Sequence, residues 1–420
     1  MITKIKNKIY SLLKRSEKYT KTDMIYLAKG GFWLTFGQVL SSAIAFLLSL
    51  AYANFLPKEV YGNFRFILSI FNLLAIPSLQ GMGSAIIIAV AKDREGALMS
   101  GFKARLKWGT LGSLASALVA IYFWSKGNVQ FTICFLVIAA CLPLMKSTEV
   151  YQSFFVGKKF FGQKVRYSVI IQFLASLAVL IAIFWTKDLV VLVSTFFVAY
   201  ASLQAIFLFM IIKKYSPNHQ DDPGVVPYGK HLSLIGVLAI IGQELDKVLL
   251  FHYLGPAQVA VYSFATLPVE QVRTPLQNIQ DMALPKFSVR DREEIKTSLP
   301  KKLLKTTALI LVAIVLYIVV VPYFFRIFYP QYLSSVFYSQ LYAFNLLVFP
   351  ISMIMLAIQA KIKTRELYII STANQIIQIS MLLILTPLFG IMGVLATRVF
   401  GLIPYFFIAW YYFKKNAASR

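Results

Sequence analysis

Charged residues are scarce in this chain of 420 residues, because Asp, Glu, Lys and Arg make up only 14% of it, against roughly 25% in ordinary soluble domains. Hydrophobic residues make up 58% instead. Long runs contain no Asp, Glu, Lys or Arg at all, at 30–57, 66–91, 167–186, 189–212 and 306–325. Each run reaches the roughly 20 residues that a helix needs to cross about 30 Å of hydrocarbon. The sequence therefore predicts an all-α polytopic membrane protein, since the strands of a membrane barrel would alternate polar and apolar residues.

Cysteine and histidine are also rare. Cys134 and Cys141 lie seven residues apart on one apolar segment, a spacing that suits packing on a helix face and fits no metal motif. The three histidines are scattered, and no HExxH, GxSxG or GxxxxGK[ST] sequence occurs. We therefore expect that the chain is not an enzyme or an ATP-driven pump and that it holds no metal and no cofactor.

Twelve transmembrane helices are predicted from the apolar runs and the polar stretches between them. They cover approximately 30–55, 61–89, 106–125, 129–156, 166–186, 189–212, 230–253, 258–284, 304–326, 334–359, 367–387 and 391–413. On the side of the N-terminus, the two chain ends and the connecting segments with their adjoining helix ends hold 33 Lys and Arg, whereas the opposite side holds Lys58, Lys126, Lys187 and Arg326 only. The positive-inside rule then predicts that both termini are cytoplasmic, in a bacterial cytoplasmic membrane. Because this charge is spread over seven segments between spans, we do not expect nucleic-acid binding.

The chain repeats a unit of about 200 residues. YANFLPKEVYGNFRFI corresponds to FHYLGPAQVAVYSFA, with Pro57 answering Pro256, and GKKFFGQKVRYSVIIQF aligns with AKIKTRELYIISTANQI at an offset of 203 residues. We predict an N-lobe at 29–215, a cytoplasmic linker at 216–229 and a C-lobe at 230–415. Each lobe would contain six helices, and a twofold axis along the membrane normal would relate the two lobes.

The first 28 residues place isoleucines and leucines at helical spacing among lysines and an arginine. This pattern fits a basic amphipathic helix lying on anionic membrane lipids, and it fits a solvated basic tail equally well.

Ten charged residues fall inside the predicted helices, where each costs at least about 2.5 kcal/mol and needs a partner, a polar cavity or water. Six of them form pairs that can neutralise each other at a spacing of three: Lys146 with Glu149, Glu244 with Lys247, and Glu270 with Arg273. The other four have no such partner: Arg65, Asp246, Asp281 and Arg398. Both of these arginines lie about 10 Å inside a predicted helix end. They either snorkel to the outer interface or line a cavity.

Two segments resemble a known family. FLPKEVYGNFRFILSIFNLLAIPSLQGMGSAI is similar to the first hairpin of polysaccharide flippases, and QELDKVLLFHYLGPAQVAVYSFA is similar to their seventh and eighth helices. FVGKKFFGQ and IQAKIKTRELY extend the likeness over most of the chain. The chain resembles the Wzx-type O-antigen or capsule flippases of the multidrug/oligosaccharidyl-lipid/polysaccharide exporter superfamily. Asp246 matches the family's Asp in this motif, whereas Pro57 stands where the first hairpin usually has Gly.

The resemblance implies two six-helix lobes around a central cavity. It implies that alternating access moves an oligosaccharide on undecaprenyl pyrophosphate from the cytoplasmic to the outer leaflet. The expected partners are this lipid-linked oligosaccharide, anionic membrane lipids and other membrane proteins of polysaccharide assembly. A cation-coupled multidrug antiporter of the same superfamily is the second hypothesis, and a non-transporting scaffold is the third. Coupling to H+ or Na+ stays open.

The roles predicted for Arg65 and Arg398 follow from the physics of anion binding and not from a family motif. We predict that Arg65 and Arg398 line the cavity and bind the pyrophosphate, because arginine stays charged and its planar fork binds two phosphate oxygens. Asp246 and Lys247 would help to set the charge and hydration of the outer part. Lys146 and Arg273 would lie deeper and receive the phosphate from the cytoplasmic side, unless their acidic neighbours occupy them.

Overall fold

The structure is a computed structural model that describes residues 24–289, 292–359 and 364–418, so most of the predicted basic segment 1–28 lies outside the described residues. Every regular secondary-structure element of the described part is a helix. In chain order these are α1 (Met24–Phe55), α2 (Lys58–Leu74), α3 (Met82–Val90), α4 (Ala97–Ser125), α5 (Val129–Thr148), α6 (Val150–Gly157), α7 (Phe161–Trp185), α8 (Leu189–Tyr215), α9 (Val225–Leu254), α10 (Pro256–Val289), α11 (Arg292–Phe328), α12 (Ser335–Tyr342), α13 (Val348–Gln359), α14 (Thr364–Phe389), α15 (Ile391–Phe400) and α16 (Leu402–Ala418).

Among the described residues, nine helical stretches are long and apolar enough to cross a membrane, and α2 with α3 makes a tenth if that pair, bent by 51°, is one span. The prediction of an all-helical polytopic membrane protein is confirmed. The predicted spans 230–253 and 258–284 form the helices α9 and α10, but they do not count among these ten. Both contain the acidic and basic residues singled out above, which lower their hydropathy. The number twelve therefore stays a prediction.

The chain packs into two compact units, and neither is a continuous segment. Unit 1 comprises Met1–Ser49, Pro77–Ala182 and Val193–Leu234, and unit 2 comprises Leu50–Ile76, Ile183–Leu192 and Ile235–Arg420. The core of unit 1 is an apolar cluster in which α3, α6 and the end of α8 meet, including Met82, Phe155 and Ile211.

The core of unit 2 includes an apolar cluster from α11, α13 and α16, which contains Leu299, Ile354 and Phe413. A second, aromatic cluster joins the two repeated hairpins. The ring of Phe264 lies 4.7 Å from that of Tyr61 and 4.0 Å from that of Tyr332, measured between ring centroids. Unit 2 therefore contains both copies of the motif on which the sequence repeat was recognised.

The two repeated hairpins turn by different means. In the second turn Gly255 has a φ of +80°, a conformation that glycine adopts far more readily than other residues. In the first turn Pro57 caps α2 with a φ of −59° and a ψ of 146°, which proline adopts without strain. Pro57 can therefore replace the glycine of the family pattern, because this turn needs no positive φ.

The polar stretch between α8 and α9 is bound to the turn between α3 and α4, within unit 1. The backbone N–H of Asn218 donates to Glu95 Oε2 at 2.9 Å, and the backbone N–H of Glu95 donates to Asn218 Oδ1 at 3.1 Å. The N–H of Gly96 donates to the carbonyl of Gln220 at 2.9 Å. Lys158 forms ion pairs with Glu95 and with Asp93. The Glu95 carboxylate, as a hydrogen-bond partner, raises the pKa of Lys158 above its ordinary value.

Candidate functional site

The guanidinium of Arg398 is bound to three oxygen atoms within unit 2. Its Nη2 donates to the carbonyl of Gly242 at 2.7 Å and to Asp246 Oδ2 at 3.0 Å, and its Nη1 donates to Gln378 Oε1 at 3.0 Å. Gly242 and Asp246 are four residues apart and therefore share one face of α9. Arg398 lies in the last turn of α15, where the helix dipole favours a cation.

Asp246 is the most deeply buried acid of this group, with only 3% of its surface exposed. Besides Arg398 it accepts a hydrogen bond from the hydroxyl of Tyr262 at 2.7 Å, and its Oδ1 lies 3.4 Å from the ammonium of Lys247. A buried carboxylate is tolerated only when it is paired and hydrogen-bonded. Three partners meet that condition here, so Asp246 is the centre of the cluster.

Lys247 extends the cluster to α2. Its ammonium forms the predicted ion pair with Glu244 at 3.1 Å, and Glu244 Oε1 accepts a hydrogen bond from Asn72 Nδ2 at 2.9 Å. Asn72 and Glu244 are separated by 172 residues. The cluster therefore connects a helix of the first repeat to a helix of the second.

Arg273 lies in a second ion pair of unit 2. Its Nη1 lies 3.2 Å from Glu270 Oε1, and the same oxygen accepts a hydrogen bond from the hydroxyl of Tyr342 at 2.5 Å. The side chain of Asn345, three residues after Tyr342, donates to the carbonyl of Arg398 at 2.8 Å. The segment around 342–345 thus contacts both groups of charges.

Arg65 differs from the other cations of unit 2. It lies on α2, its side chain is half-buried, and its Nε is buried without a hydrogen-bond partner. Among the described residues no acidic side chain forms an ion pair with it, since the ion pairs of unit 2 involve Lys247, Arg273 and Arg398. Arg65 is therefore a cation of a predicted membrane span without a counter-ion in the described part of the chain.

Lys146 belongs to unit 1, where Glu149 binds two cations. Glu149 Oε1 lies 3.2 Å from the ammonium of Lys146, and Glu149 Oε2 lies 3.0 Å from Nη2 of Arg105. Arg105 is only 4% exposed, and its Nε also donates to the carbonyl of Ser78 at 3.1 Å. Ser78 ends the short helical turn after α2, and Glu149 separates α5 from α6. Arg105 therefore bridges two helix breaks.

The structure thus places Asp246, Lys247 and Arg398 in one cluster, Arg273 in a second ion pair, and Lys146 in the other unit. Sequence reasoning missed Arg105, because Lys103 and Lys107 flank it and the span was predicted to begin at 106. In the structure α4 already begins at Ala97. The sequence signal for this earlier start was the absence of charged residues from 97–102. Asp281 lies in α10, and its side chain is outside the described part. The described residues contain no group of three or more His, Cys, Asp or Glu that could hold a metal ion.

The fold is that of transporters of the MOP superfamily. The lipid II flippase MurJ, in an inward closed conformation, is 16% identical in sequence and superposes with a TM-score of 0.68. The alignment covers 92% of this chain and 87% of the MurJ chain. MATE in complex with MaD5 is 14% identical, covers 93% and 96%, and has a TM-score of 0.63. A MOP superfamily transporter from Pyrococcus furiosus is 13% identical, covers 92% and 96%, and has a TM-score of 0.60. At these identities the similarity shows the fold alone.

The family is shown by the sequence itself. Residues 27–272, more than half of the chain, match the family model described as polysaccharide biosynthesis protein. The chain belongs to this family, and the resemblance inferred from the two hairpin motifs is confirmed. It is also 22% identical, over 91% of its length and 82% of the relative's, to an uncharacterized membrane protein of Methanocaldococcus jannaschii.

Proposed function

We propose that this protein is a flippase for an oligosaccharide linked to undecaprenyl pyrophosphate. It takes the substrate from the cytoplasmic leaflet and delivers it to the outer leaflet by alternating access, for the synthesis of a surface polysaccharide. The family match supports a role in polysaccharide synthesis, and the fold supports transport. A lipid-linked oligosaccharide pyrophosphate accounts for both, as a substrate of polysaccharide synthesis that has to be transported across the membrane.

Arg65 is the observation that carries the proposal. A charged residue in the membrane is costly and is usually retained for a partner or a pathway. The guanidinium of Arg65 has no acidic partner among the described residues and its Nε is unsatisfied, so an anion that arrives from outside the chain would stabilise it. A pyrophosphate supplies two negative groups with the geometry that guanidinium binds best.

The described charges of each unit also favour an anion. In unit 1 Lys146 and Arg105 face the single carboxylate of Glu149. Among the described intramembrane side chains of unit 2, Glu244, Asp246 and Glu270 are each paired with Lys247, Arg273 or Arg398, and Arg65 has no acidic partner. We assign Arg65 to direct phosphate binding and Arg398, Asp246 and Lys247 to a polar cluster that holds the site's charge. Lys146 and Arg273 would bind the phosphate in place of their present partners, Glu149 and Glu270.

A multidrug antiporter, the second hypothesis, needs acidic side chains that are free to bind a cationic drug. All four of the described intramembrane acids considered above already have Lys or Arg partners within 3.4 Å. The pattern of charges therefore supports the flippase better than the antiporter.

A deletion strain of the native host tests the proposal. We expect lipid-linked oligosaccharide to accumulate in the cytoplasmic leaflet, where an impermeant sugar-modifying reagent cannot reach it, and surface polysaccharide to disappear. Wild-type protein should reverse both effects, and sensitivity to cationic drugs should not change. Increased drug sensitivity with normal surface polysaccharide would instead identify an antiporter.

A further inference from the structure

A groove of about 430 Å³ lies between α7 and α8 in unit 1. Its volume is within the range of roughly 300–1,000 Å³ that is typical of small-molecule sites. Three cations line it, namely Arg166 from the first turns of α7 and Lys213 and Lys214 from the last turn of α8. The remaining lining residues are Tyr167, Ile170, Phe207 and Met210. The groove therefore combines positive charge with an apolar floor.

The three cations are available to an external anion. Each of them is exposed, no acidic residue lines the groove, and none of the three forms an ion pair with a described acid. The ammonium of Lys214 lies 5.7 Å from the centroid of the Tyr215 ring, a contact that leaves its charge unneutralised. Three unneutralised cations around one groove repel each other, and a bound anion would remove that repulsion.

The position of the groove along its helices corresponds to a membrane interface. The turn between α7 and α8 lies at 186–188, and Arg166 is about 29 Å of helix from Trp185 at that turn. Met210 is likewise about 32 Å from Leu189. These lengths match the hydrocarbon thickness of about 30 Å. The cations therefore lie where lipid headgroups lie, on the side that the charge distribution assigns to the cytoplasm.

The apolar part of the groove continues from the cations toward the hydrocarbon. The rings of Tyr167 and Phe207 meet edge to face with centroids 5.7 Å apart, and both side chains are half-buried. Beside them Met210 is 53% exposed and Phe209 is 74% exposed. A ligand bound to the cations would thus have an apolar surface directly below its charged group.

We propose that this groove binds an anionic phospholipid of the surrounding membrane. Arg166, Lys213 and Lys214 hold the headgroup phosphate, and one acyl chain lies along Ile170, Phe207 and Met210. A free phosphate ion would use the cations but not the apolar floor. A phospholipid uses both and reaches the groove by lateral diffusion within its leaflet. Basic groups between membrane helices on the cytoplasmic side are typical of such headgroup sites. The proposal does not depend on the transported substrate.

Native mass spectrometry of the purified full chain tests this site. The probes are phosphatidylglycerol, phosphatidylcholine with the same acyl chains, inorganic phosphate and undecaprenyl phosphate. We expect the wild type to prefer phosphatidylglycerol over phosphatidylcholine. The triple variant Arg166→Gln, Lys213→Gln, Lys214→Gln should lose roughly 100-fold in affinity for phosphatidylglycerol, since each cation near an anionic surface contributes about fivefold. A triple variant with the same charge, at the exposed residues Lys103, Lys107 and Lys301, should bind like the wild type.

A second variant separates lipid from free phosphate. Met210→Trp keeps all three cations but fills the apolar floor, so it should weaken phosphatidylglycerol binding severalfold. Met210 is exposed, so this change should not disturb folding. The proposal is overturned if the groove triple and the control triple bind phosphatidylglycerol equally. It is also overturned if Met210→Trp has no effect while inorganic phosphate competes, or if undecaprenyl phosphate displaces the phospholipid at much lower concentration.

Discussion

Gly62 in α2 lies directly against the backbone of Pro256, the first residue of α10. A Cβ atom added at Gly62 would lie 1.8 Å from the Pro256 carbonyl oxygen and 2.5 Å from its carbonyl carbon. The two repeated hairpins of unit 2 therefore pack so closely at this point that only glycine fits. Neighbouring aromatic contacts continue the same interface, because the rings of Phe66 and Phe251 stack with centroids 3.8 Å apart.

Replacing Gly62 by alanine should force these two hairpins apart. Backbone atoms cannot move aside as a flexible side chain can, and overpacking in a tight core typically costs about 1–3 kcal/mol. We expect Gly62→Ala to lower the thermal unfolding temperature in detergent. Spin labels at Glu59→Cys and Gln258→Cys, which are exposed and equivalent in the repeat, should report a longer distance. Gly236→Ala is the control, because a Cβ there meets nothing within 4 Å. Identical distances in Gly62→Ala and Gly236→Ala would contradict the prediction.

Much of this architecture could be predicted because it is encoded locally. Long runs without charge predict spans, and the Gly255–Pro256 turn and its counterpart at Pro57 predict hairpins from a few adjacent residues. The ion pairs at a spacing of three, such as Glu244 with Lys247, also follow from helix geometry. All three predicted pairs form in the structure.

Contacts between distant segments could not be predicted from one sequence. The ion pair of Arg398 with Asp246 joins residues 152 positions apart, and no local spacing indicates it. Arg105 was assigned to a loop because its neighbours are basic, although packing buries it in α4. The repeat placed both hairpins at equivalent positions. It gave no sign that Leu50–Ile76 packs into the same unit as most of the second half.

The ion pair between Arg398 and Asp246 should contribute chiefly to the stability of unit 2. Arg398→Gln leaves the carboxylate of Asp246, which is 3% exposed, without its guanidinium partner. Breaking a buried pair in this way typically costs about 3–5 kcal/mol. Adding Asp246→Asn should recover part of the loss, because the unpaired charge is then gone. Thermal unfolding of the two single variants and the double variant gives the coupling, and strictly additive effects would disprove it.

The ion pair of Lys158 with Glu95, in the turn before α4, should contribute to stability in a way that depends on pH. The pKa of Lys158 is raised above its ordinary value of 10.5, chiefly by its hydrogen bond to Glu95. A raised pKa in the folded state means that the ion pair stabilises fully below 10.5 and that this stabilisation is lost as pH rises through the raised pKa. Lys158→Met should therefore lower the unfolding temperature at pH 7 and converge with the wild type at strongly alkaline pH. Lys126→Met, at an exposed lysine, should differ little at any pH. If the difference in unfolding temperature between the wild type and Lys158→Met stayed constant to high pH, this ion pair could not be its source.

The predicted topology can be tested by labelling intact cells. Cys134 is buried, so a Cys141→Ala background should give little signal. His219→Cys, in the linker, should resist an impermeant thiol reagent, because the distribution of Lys and Arg assigns this side to the cytoplasm. Glu59→Cys, in the first repeated turn, should be labelled. Both positions are exposed, and permeabilised cells should label both. The opposite pattern in intact cells would invert the topology.

Arg65 provides the sharpest distinction between a substrate ligand and a structural charge. Its Nε is buried without a partner, so removing the charge should not destabilise unit 2, in contrast to Arg398→Gln. Arg65→Gln should therefore keep its unfolding temperature and its abundance in the membrane while surface polysaccharide falls strongly. Arg65→Lys should keep part of the activity, because lysine retains the charge but not the planar fork that binds two phosphate oxygens. A snorkelling arginine would tolerate both changes.

Wild-type levels of surface polysaccharide in Arg65→Gln cells, at equal protein abundance, would remove Arg65 from the site. The phosphate contact would then have to be sought at Lys146 and Arg105, where two cations share one carboxylate.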